Sequence, residues 1–251
     1  MIDERSGSND GSNDGSNDGG ATAADDGRSG AIQFPFGAQA RPGYLARPAG
    51  AGPFPGLIVI HEIYGLNGAI RAVARRFAGQ GYMTLAVDLF GGRNRALCMF
   101  RVITSLLARP LKNGSQDELK AALDWLAEQP GVDAQRLGAV GFCMGGSFAV
   151  AWACTDERLK VIAPFYAMNP RPLAAVSRSC PVVGSYPDPD FTTKPGRALD
   201  ATLARYGVPH DIKIYPGAQH SFFNEQGDHY NADAAQDAWA RMLAFFSERL
   251  A

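Results

Sequence analysis

The chain has 251 residues, of which 46% are hydrophobic and 20% are charged, and its net charge at pH 7 is −1. This length and composition are sufficient for one large domain with a complete hydrophobic core, as in an ordinary globular protein. The near-neutral charge excludes the basic surface typical of nucleic-acid-binding proteins, and no apolar run approaches the roughly 18 residues of a membrane-spanning helix.

The first thirty residues differ in composition from the rest of the chain. Gly-Ser-Asn-Asp occurs three times in residues 7–18, and residues 1–30 carry a net charge of −5, which leaves +4 for residues 31–251. Almost none of these side chains can be buried, so we predict a disordered acidic tail over residues 1–30 and one folded domain over residues 31–251. A Ca²⁺-binding loop is the alternative, but the alternating ligand spacing and the closing Glu are missing. The tail also lacks the basic-then-apolar pattern of a signal peptide, so we expect a cytoplasmic protein.

From Ile32 the sequence alternates between strand and helix patterns. Short apolar runs predict strands at residues 57–60, 83–88, 137–142, 161–166, 181–186 and 210–215. Helical spacing predicts helices at residues 67–80, 93–109, 116–128, 194–206 and 232–249, with a further helix after residue 142. This alternation predicts the α/β class, with a mostly parallel sheet covered by helices on both faces.

The run Gly141-Phe142-Cys143-Met144-Gly145-Gly146 lies between a predicted strand and helix-forming sequence. This is the context of a nucleophile elbow, written G-x-C-x-G instead of the commoner G-x-S-x-G. Glycines two residues before and two residues after the nucleophile leave room for a strained turn whose side chain points outward. We therefore predict that Cys143 is a nucleophile for covalent catalysis. The alternative is a small buried hydrophobic side chain.

Two further loops after predicted strands supply candidate partners for Cys143. The carboxyl ends of parallel strands gather at one edge of a sheet, where an active site is expected. Asp188 and Asp190 follow one predicted strand, and His220 follows the last one. The chain order nucleophile, acid, histidine is that of the hydrolase triad, in which His220 accepts the thiol proton and an aspartate orients the imidazole. This chain order leaves Asp188 and Asp190 as rival acids.

The loop at residues 61–67 follows the first buried strand. Hydrolases with a nucleophile elbow donate one oxyanion-hole amide from this position, and the other from the residue after the nucleophile. We therefore predict that the backbone N–H groups of Ile63 and Met144 bind the negative charge that develops on the carbonyl oxygen.

Five segments together resemble the dienelactone hydrolase family, a part of the α/β-hydrolase superfamily. They appear in the order found in the family, and the resemblance covers nearly all of residues 32–251. The segments are HEIYGLN (61–67), VDLFGG (87–92), GFCMGG (141–146), GSYPDPD (184–190) and GAQHSFF (217–223). The resemblance implies the α/β-hydrolase fold, the cleavage of a lactone or small ester, and Asp190 rather than Asp188 as the acid.

The resemblance also implies a role for Glu62. In the family this carboxylate lies beside a largely protonated thiol, and substrate binding shifts it so that it takes the thiol proton. Thiolate then forms only when substrate is present, which protects the cysteine from oxidation. The alternative is that Glu62 only forms hydrogen bonds within its own loop.

The family binds an anionic substrate through arginine, and one such arginine comes from the segment between residues 89 and 116. This segment contains no acidic residue, and Arg93 and Arg95 are the candidates for a bidentate contact with a carboxylate. The alternative is that its basic residues form the solvated face of an amphipathic helix. The family's best-known lactonases have a second arginine after the His-Ser-Phe run, where this chain has Phe223-Asn224-Glu225. The specific lactone therefore stays open.

We expect a monomeric cytoplasmic hydrolase that cleaves a lactone or small ester through a thioester acyl-enzyme on Cys143. The partner is then a small-molecule substrate, which is anionic if an arginine binds it, and neither nucleic acid nor membrane is involved. No metal or organic cofactor is expected, because the four histidines and four cysteines lack ligand spacing. Two other classes stay open: a redox-active thiol protein, in which Cys143 needs a resolving cysteine nearby, and a non-catalytic binding protein on the same fold.

Overall fold

The structure is a computed structural model that describes residues 28–91 and 95–251, without the side chains of residues 95, 96 and 107. The predicted tail lies outside the described residues up to residue 27. Its last residues, Ser29 and Gly30, belong to the first strand instead, because pairing with the second strand extends as far as Ser29 opposite Ala46. The first strand therefore includes two residues that the prediction placed in the tail.

Eight strands and six helices make up the described fold. The strands are β1 (Ser29–Phe36), β2 (Gln39–Ala46), β3 (Phe54–Ile60), β4 (Met83–Val87), β5 (Val132–Phe142), β6 (Leu159–Phe165), β7 (Val182–Asp188) and β8 (His210–Pro216). The helices are α1 (Gly68–Gly79), α2 (Arg95–Ala108), α3 (Gly114–Ala127), α4 (Met144–Ala153), α5 (Thr193–Arg205) and α6 (Ala232–Arg249), with a 3-10 helix at Leu173–Arg178. The strands form one sheet in the order β1-β2-β4-β3-β5-β6-β7-β8. Pairing is parallel from β4 to β8 and antiparallel around β2, which confirms the predicted α/β class with a mostly parallel sheet.

Helices cover both faces of the sheet. Because successive side chains of a strand point to opposite faces, each central strand contributes side chains to two hydrophobic cores. In β3, Ile58 and Ile60 pack into one hydrophobic core, whereas Leu57 and Val59 pack into the other. The first core contains apolar side chains of α2 to α5, and the second contains those of α1 and α6. Both faces are withdrawn from water, which explains why the central strands are continuous apolar runs in the sequence.

The strand order places the turn that carries Cys143 next to the loop after β3. From β3 the chain moves outwards to β4 on one side, and it then crosses back to β5 on the other side. Ligand sites of open α/β sheets lie at such a reversal, outside the carboxyl ends of the strands. Ile60 of β3 pairs with Gly141 of β5. The loop with Glu62 and the turn with Cys143 therefore begin side by side.

Two features of the sheet are not predicted by the sequence patterns. The β1–β2 hairpin has a tight turn at Gly37, whose φ is +57°, and it carries prolines and exposed residues instead of an apolar run. In addition, β5 begins at Val132 instead of residue 137, and its first residues are partly exposed beside a register shift in β3. In both places, strand residues that are not apolar are held by backbone pairing within the sheet. An apolar pattern in the sequence therefore cannot predict them.

The turn between β5 and α4 depends on glycines that have no side chain. A Cβ atom at Gly141 would lie 2.2 Å from the carbonyl oxygen of Gly145, and one at Gly145 would lie 2.3 Å from that of Ile60. Both distances are far below van der Waals contact, so that α4 can approach the strands this closely only with glycine at these positions. The G-x-C-x-G spacing is therefore a packing requirement of the turn.

Gly141→Ala is expected to lower the free energy of unfolding by about 3 kcal/mol or more, because the added methyl group overlaps backbone atoms of α4. Gly79→Ala is the matched control, since a Cβ atom at Gly79 has no neighbour within 4 Å. Alanine in a helix should stabilise the control variant by about 0.5–1 kcal/mol. Urea unfolding, monitored by circular dichroism, measures the free energy of unfolding of both variants. A loss below about 1 kcal/mol for Gly141→Ala would contradict the packing requirement.

Candidate active site

Cys143 occupies the turn between β5 and α4 in a backbone conformation that most residues avoid. Its φ is +54° and its ψ is −112°, which lies outside the main regions open to a residue with a Cβ atom. The Cys143 N–H donates to the carbonyl oxygen of Phe165 at 3.0 Å, and the Cys143 carbonyl accepts from Ser147 at 3.1 Å. These bonds hold the strained turn in place. Strain of this kind is typical of functional sites.

His220 and Asp190 lie together in the loops after the adjacent strands β8 and β7. His220 Nδ1 is 3.2 Å from both carboxylate oxygens of Asp190, whose side chain is 6% exposed. Thr192 donates its N–H, at 2.8 Å, and its hydroxyl group to Asp190 Oδ1, which fixes the carboxylate. Asp188, in contrast, is 37% exposed and pairs with Arg197 at 3.2 Å. The geometry therefore favours Asp190 over Asp188 as the partner of His220.

The contact with Asp190 determines how the imidazole of His220 is oriented. A carboxylate beside Nδ1 keeps the proton on that nitrogen, which leaves the lone pair of Nε2 able to accept another proton. The ring stacks on Phe191 with 4.7 Å between centroids and packs at 4.9 Å against Tyr166. These two aromatic side chains fix the ring, so that Nε2 points away from Asp190.

His61 holds the loop that carries Glu62. Its side chain is fully buried at the end of β3. Nε2 accepts a hydrogen bond from the Leu89 N–H at 3.1 Å, and Nδ1 lies 2.5 Å from the carbonyl oxygen of Glu62. An N–H group can only donate, so Nε2 is the acceptor and Nδ1 donates to Glu62. His61 therefore links the start of this loop to the chain after β4.

Glu62 is itself buried and is hydrogen-bonded to a tyrosine. Tyr166 Oη donates to Glu62 Oε1 at 2.7 Å, and the hydroxyl group of Ser221 bonds to the same phenol oxygen. Tyr166 is fully buried and has a φ of +38°. Burial, followed by the charge of Glu62, raises the pKa of Tyr166 well above its usual range. Tyr166 is therefore a hydrogen-bond donor to Glu62 at neutral pH.

The surroundings of Cys143 favour the protonated thiol. Burial is the main reason that the pKa of Cys143 rises to about 12, and the negative charge of Glu62 raises it further. The N–H of Met144 has the opposite effect, because it bonds to the sulfur and stabilises a thiolate, while Asp190 adds a smaller increase. In the unliganded site the cysteine is therefore a thiol at neutral pH.

Both predicted oxyanion-hole residues lie at the cavity that contains Cys143. Met144 is the first residue of α4, where backbone N–H groups have no partner within the helix and the helix dipole favours negative charge. Ile63 follows Glu62 in the loop after β3, and it lines the same cavity as Met144 and Cys143. A carbonyl group bound in this cavity can therefore lie between the thiol and these amides.

The cavity beside Cys143 has a volume of about 210 Å³ and a mainly apolar wall. The apolar lining residues from α2 and from the loops after α2, β6 and β7 are Ile103, Leu106, Pro110, Met168, Pro170 and Phe191. Arg171 is the one charged side chain among the described residues that line it. Such a cavity fits a small apolar group with a negative charge at one end.

The side chains of the two predicted substrate-binding arginines are not among those that the structure describes. Arg93 lies outside the described residues, and Arg95 begins α2 with a side chain that also lies outside them. The patterns miss Arg171 and Tyr166. Tyr166 is the last residue of the predicted strand at residues 161–166, and Arg171 lies five residues after it. That position, at the carboxyl end of a parallel strand, is the signal that could have identified them.

Glu225 occupies the segment in which the family's best-known lactonases carry their second arginine. It forms an ion pair with Arg76 of α1 at 2.9 Å. The guanidinium group of Arg76 also lies 4.3 Å above the ring of Trp239. Glu225 thus balances the charge of Arg76. Arg76 is therefore not equivalent to an arginine whose charge is available to bind a substrate carboxylate.

The other cysteines lie away from Cys143. Cys154 follows the last residue of α4, and a ten-residue helix separates it from Cys143 by roughly 15 Å, too far for a disulfide bond. Burial, followed by the nearby thiol of Cys154, raises the pKa of Cys180 to about 12, and Cys98 lines a different cavity. Within the described ranges, no group of three or more His, Cys, Asp or Glu side chains could hold a metal ion. Among the described helices, none is both long and apolar enough to cross a membrane.

Comparison with known sequences decides the family. The sequence profile of the dienelactone hydrolase family matches residues 42–250. The chain belongs to the dienelactone hydrolase family. A relative from Saccharolobus solfataricus, provisionally named a carboxymethylenebutenolidase, is 31% identical over 238 residues, which cover 80% of this chain and 91% of the relative. The resemblance inferred from the five sequence segments is therefore confirmed.

Solved structures of dienelactone hydrolases and their relatives share the fold. A provisionally assigned dienelactone hydrolase from Klebsiella pneumoniae is 28% identical, with a TM-score of 0.78 over 88% of this chain and 98% of its own. A dienelactone hydrolase-like promiscuous phosphotriesterase from metagenomic libraries is 27% identical, with a TM-score of 0.79 over 89% and 98%. The α/β-hydrolase fold is thus confirmed, and family membership identifies the protein as a carboxylic ester hydrolase.

Alkylation of Cys143 by iodoacetamide is expected to accelerate about tenfold per pH unit between about pH 7 and pH 9. The reason is that the thiolate fraction rises tenfold with each pH unit as long as the pH stays well below the thiol pKa of about 12. Peptide mass spectrometry measures the rate at Cys143, and Cys143→Ala gives the background from the other thiols. A plateau that begins below about pH 8 would show that the thiol pKa is not raised.

Proposed function

We propose that the protein hydrolyses a lactone or small carboxylic ester through a thioester intermediate on Cys143. The observation that carries this proposal is the strained turn at Cys143, which opens into the same cavity as the Met144 N–H. The hydrogen-bonded pair of His220 and Asp190 supports it, because it supplies a base oriented by a buried carboxylate.

In the first half-reaction the substrate carbonyl lies in the cavity, with its oxygen toward the N–H groups of Ile63 and Met144. The S–H bond of Cys143 breaks, its proton passes to Glu62 or to Nε2 of His220, and the sulfur bonds to the carbonyl carbon. The negative charge on the oxygen is then stabilised by the two amides. Collapse of this intermediate breaks the C–O bond of the ester, and the leaving oxygen takes up the proton that the thiol released.

In the second half-reaction water hydrolyses the thioester. Nε2 of His220 accepts a proton from water, and the oxygen attacks the carbonyl carbon. Asp190 stabilises the imidazolium that forms, through the contact at Nδ1. The C–S bond breaks, the sulfur of Cys143 takes the proton back from His220, and the carboxylic acid leaves the site. The enzyme returns to the thiol form without a metal or an organic cofactor in any step.

The cavity indicates which esters the site accepts. Its apolar wall favours a hydrocarbon or aromatic group next to the carbonyl, and Arg171 favours a carboxylate at the far end of that group. Arg109 and Lys112 line the adjoining groove together with Arg171, which makes this end of the cavity positively charged despite Asp117 nearby.

Intact-mass spectrometry tests the nucleophile. A transient acyl adduct is expected on the wild-type protein with p-nitrophenyl acetate or dienelactone, and none on Cys143→Ala, because only the thiol of Cys143 adjoins the oxyanion-binding amides. Cys98→Ala is the matched control, since Cys98 is half-buried and lines a different cavity. Its adduct and turnover should equal those of the wild type. Turnover that persists in Cys143→Ala would refute the proposal.

Arg171→Gln is expected to reduce kcat/KM for an anionic ester, p-nitrophenyl hemisuccinate, by about three- to fivefold, which corresponds to one exposed ion pair. Hydrolysis of neutral p-nitrophenyl butyrate should not change. The control is Arg205→Gln, because Arg205 ends α5 shortly before β8 begins, at the amino ends of the strands, whereas Arg171 follows the carboxyl end of β6. An equal effect of Arg171→Gln on both esters would show that Arg171 does not recognise the carboxylate.

The redox alternative finds little support in the geometry. A sensor cysteine requires a resolving thiol within disulfide distance and an environment that favours thiolate. The described thiols other than Cys143 lie elsewhere, and burial together with Glu62 disfavours thiolate at Cys143. No observation favours this function over hydrolysis.

A further inference from the structure

A second cavity adjoins the site at His220. This polar groove has a volume of about 650 Å³, whereas the apolar cavity beside Cys143 has about 210 Å³. Besides His220, its lining includes the hydrogen-bonding side chains of Tyr64, Asn67, Asn224, Gln226, Asp228 and His229. The site therefore combines a small apolar space with a larger polar one.

The polar groove and the apolar cavity meet where the ester carbonyl binds in the proposed reaction. Ile63, whose N–H belongs to the proposed oxyanion hole, lines the apolar cavity, and the next residue, Tyr64, lines the polar groove. The ring of His220, which lines the groove, contacts Phe191 and Tyr166, which line the apolar cavity. An ester whose carbonyl oxygen lies at the Ile63 N–H can therefore extend into both spaces.

The chemistry determines which part of the ester lies in each space. When the thiol proton travels through Nε2 of His220, the leaving oxygen must lie beside that nitrogen, because its C–O bond breaks as its O–H bond forms. The alcohol part then points into the polar groove, and the acyl part fills the apolar cavity beside Cys143. The alcohol of a small lactone stays attached to its acyl group and does not reach the groove. The groove is therefore useful only for an ester with a separate alcohol part.

The side chains of the polar groove suit a neutral group with several hydroxyls. The exposed amide of Gln226 both donates and accepts hydrogen bonds, and the exposed carboxylate of Asp228 accepts them from hydroxyl groups. The ring of Tyr64 is 52% exposed and offers a flat apolar face to the C–H groups of a sugar ring. Of the described residues that line the groove, none is Lys or Arg, so an anionic alcohol finds no opposite charge there.

We propose that the polar groove binds the alcohol part of the substrate, and that this alcohol is a neutral, hydroxyl-rich group of the sugar type. This inference rests on the proposed function, in which an ester is cleaved at Cys143, and it specifies the substrate as an open-chain ester. Gln226 and Asp228 determine specificity by binding the alcohol, and they take no part in the bond-breaking steps.

Butyrate esters that differ only in the alcohol test this with the wild-type protein. They are methyl 6-O-butyryl-glucopyranoside, its 2,3,4-tri-O-methyl ether and ethyl butyrate, and pH-stat titration measures the butyrate released. The glucoside ester is expected to exceed ethyl butyrate about tenfold or more in kcat/KM, because contacts with its hydroxyls stabilise the transition state. The methyl ether, which keeps the leaving oxygen but has no free hydroxyls, should lose most of this gain. Equal values for the glucoside ester and its ether, or no gain over ethyl butyrate, overturn the proposal.

Substitutions in the groove test which residues recognise the hydroxyls. Gln226→Ala and Asp228→Ala are each expected to lower kcat/KM for the glucoside ester about three- to tenfold, the effect of one lost hydrogen bond, and to leave ethyl butyrate unchanged. Gln135→Ala is the matched control, because Gln135 is an exposed glutamine near the amino end of β5, away from the carboxyl ends where the site lies. It should alter neither ester. Equal losses on both esters in both groove variants, or no loss in either variant, overturn the proposal.

Failure of this inference and failure of the proposed function give different results. p-Nitrophenyl butyrate has a good leaving group that needs no hydroxyl contact, so its turnover tests the chemistry at Cys143 alone. Turnover that survives Cys143→Ala refutes the proposed function. Turnover that depends on Cys143, without a preference for the glucoside ester, refutes only the role of the polar groove.

Discussion

The site depends on the close contact between the first turn of α4 and the backbone at the ends of β3 and β6. The carbonyl oxygen of Ile60 would lie 2.3 Å from a Cβ atom at Gly145, and that of Phe165 would lie 2.8 Å from one at Gly146. With α4 this close, the Cys143 N–H reaches Phe165, and the chain can turn only through a positive φ. The thiol, the Met144 N–H and the loop with Glu62 consequently meet at one cavity. A single side chain at either glycine would push them apart.

The electrostatics of this site are the reverse of those around a permanently activated cysteine. Reactive cysteines usually have a cationic neighbour that lowers the thiol pKa, whereas burial and the charge of Glu62 raise that of Cys143. A thiol whose pKa is raised reacts slowly with oxidants, so the proposed reaction has to form the thiolate during catalysis. The buried hydrogen bond between Tyr166 and Glu62 lies beside this thiol, and Tyr166 lines both the cavity that contains Cys143 and a smaller one.

Family membership and local geometry answer different questions about the substrate. The family assignment establishes a carboxylic ester hydrolase of the dienelactone hydrolase type. The cavity of this chain, however, combines an apolar wall with Arg171, and Glu225 pairs with Arg76 on the other side of the site. Charge is therefore available for recognition mainly at the end of the cavity near Arg171. In the proposed hydrolase, that cavity and not the fold sets which ester is preferred.

The sequence by itself determined most of the fold and the chain order of Cys143, Asp190 and His220, because apolar runs, helical spacing and glycine spacing are short-range patterns. The bounds of β1 and β5 differ from prediction, since strand pairing there extends beyond the apolar residues. The residue order left Asp188 and Asp190 as rivals and the family resemblance favoured Asp190, which the structure places beside His220. Only the tertiary structure decided that Arg171 lines the cavity. It also brought together Tyr166 and Glu62, which are 104 residues apart in the chain. Contacts at such separation depend on how strands are ordered in the sheet, and no local pattern of residues encodes that order.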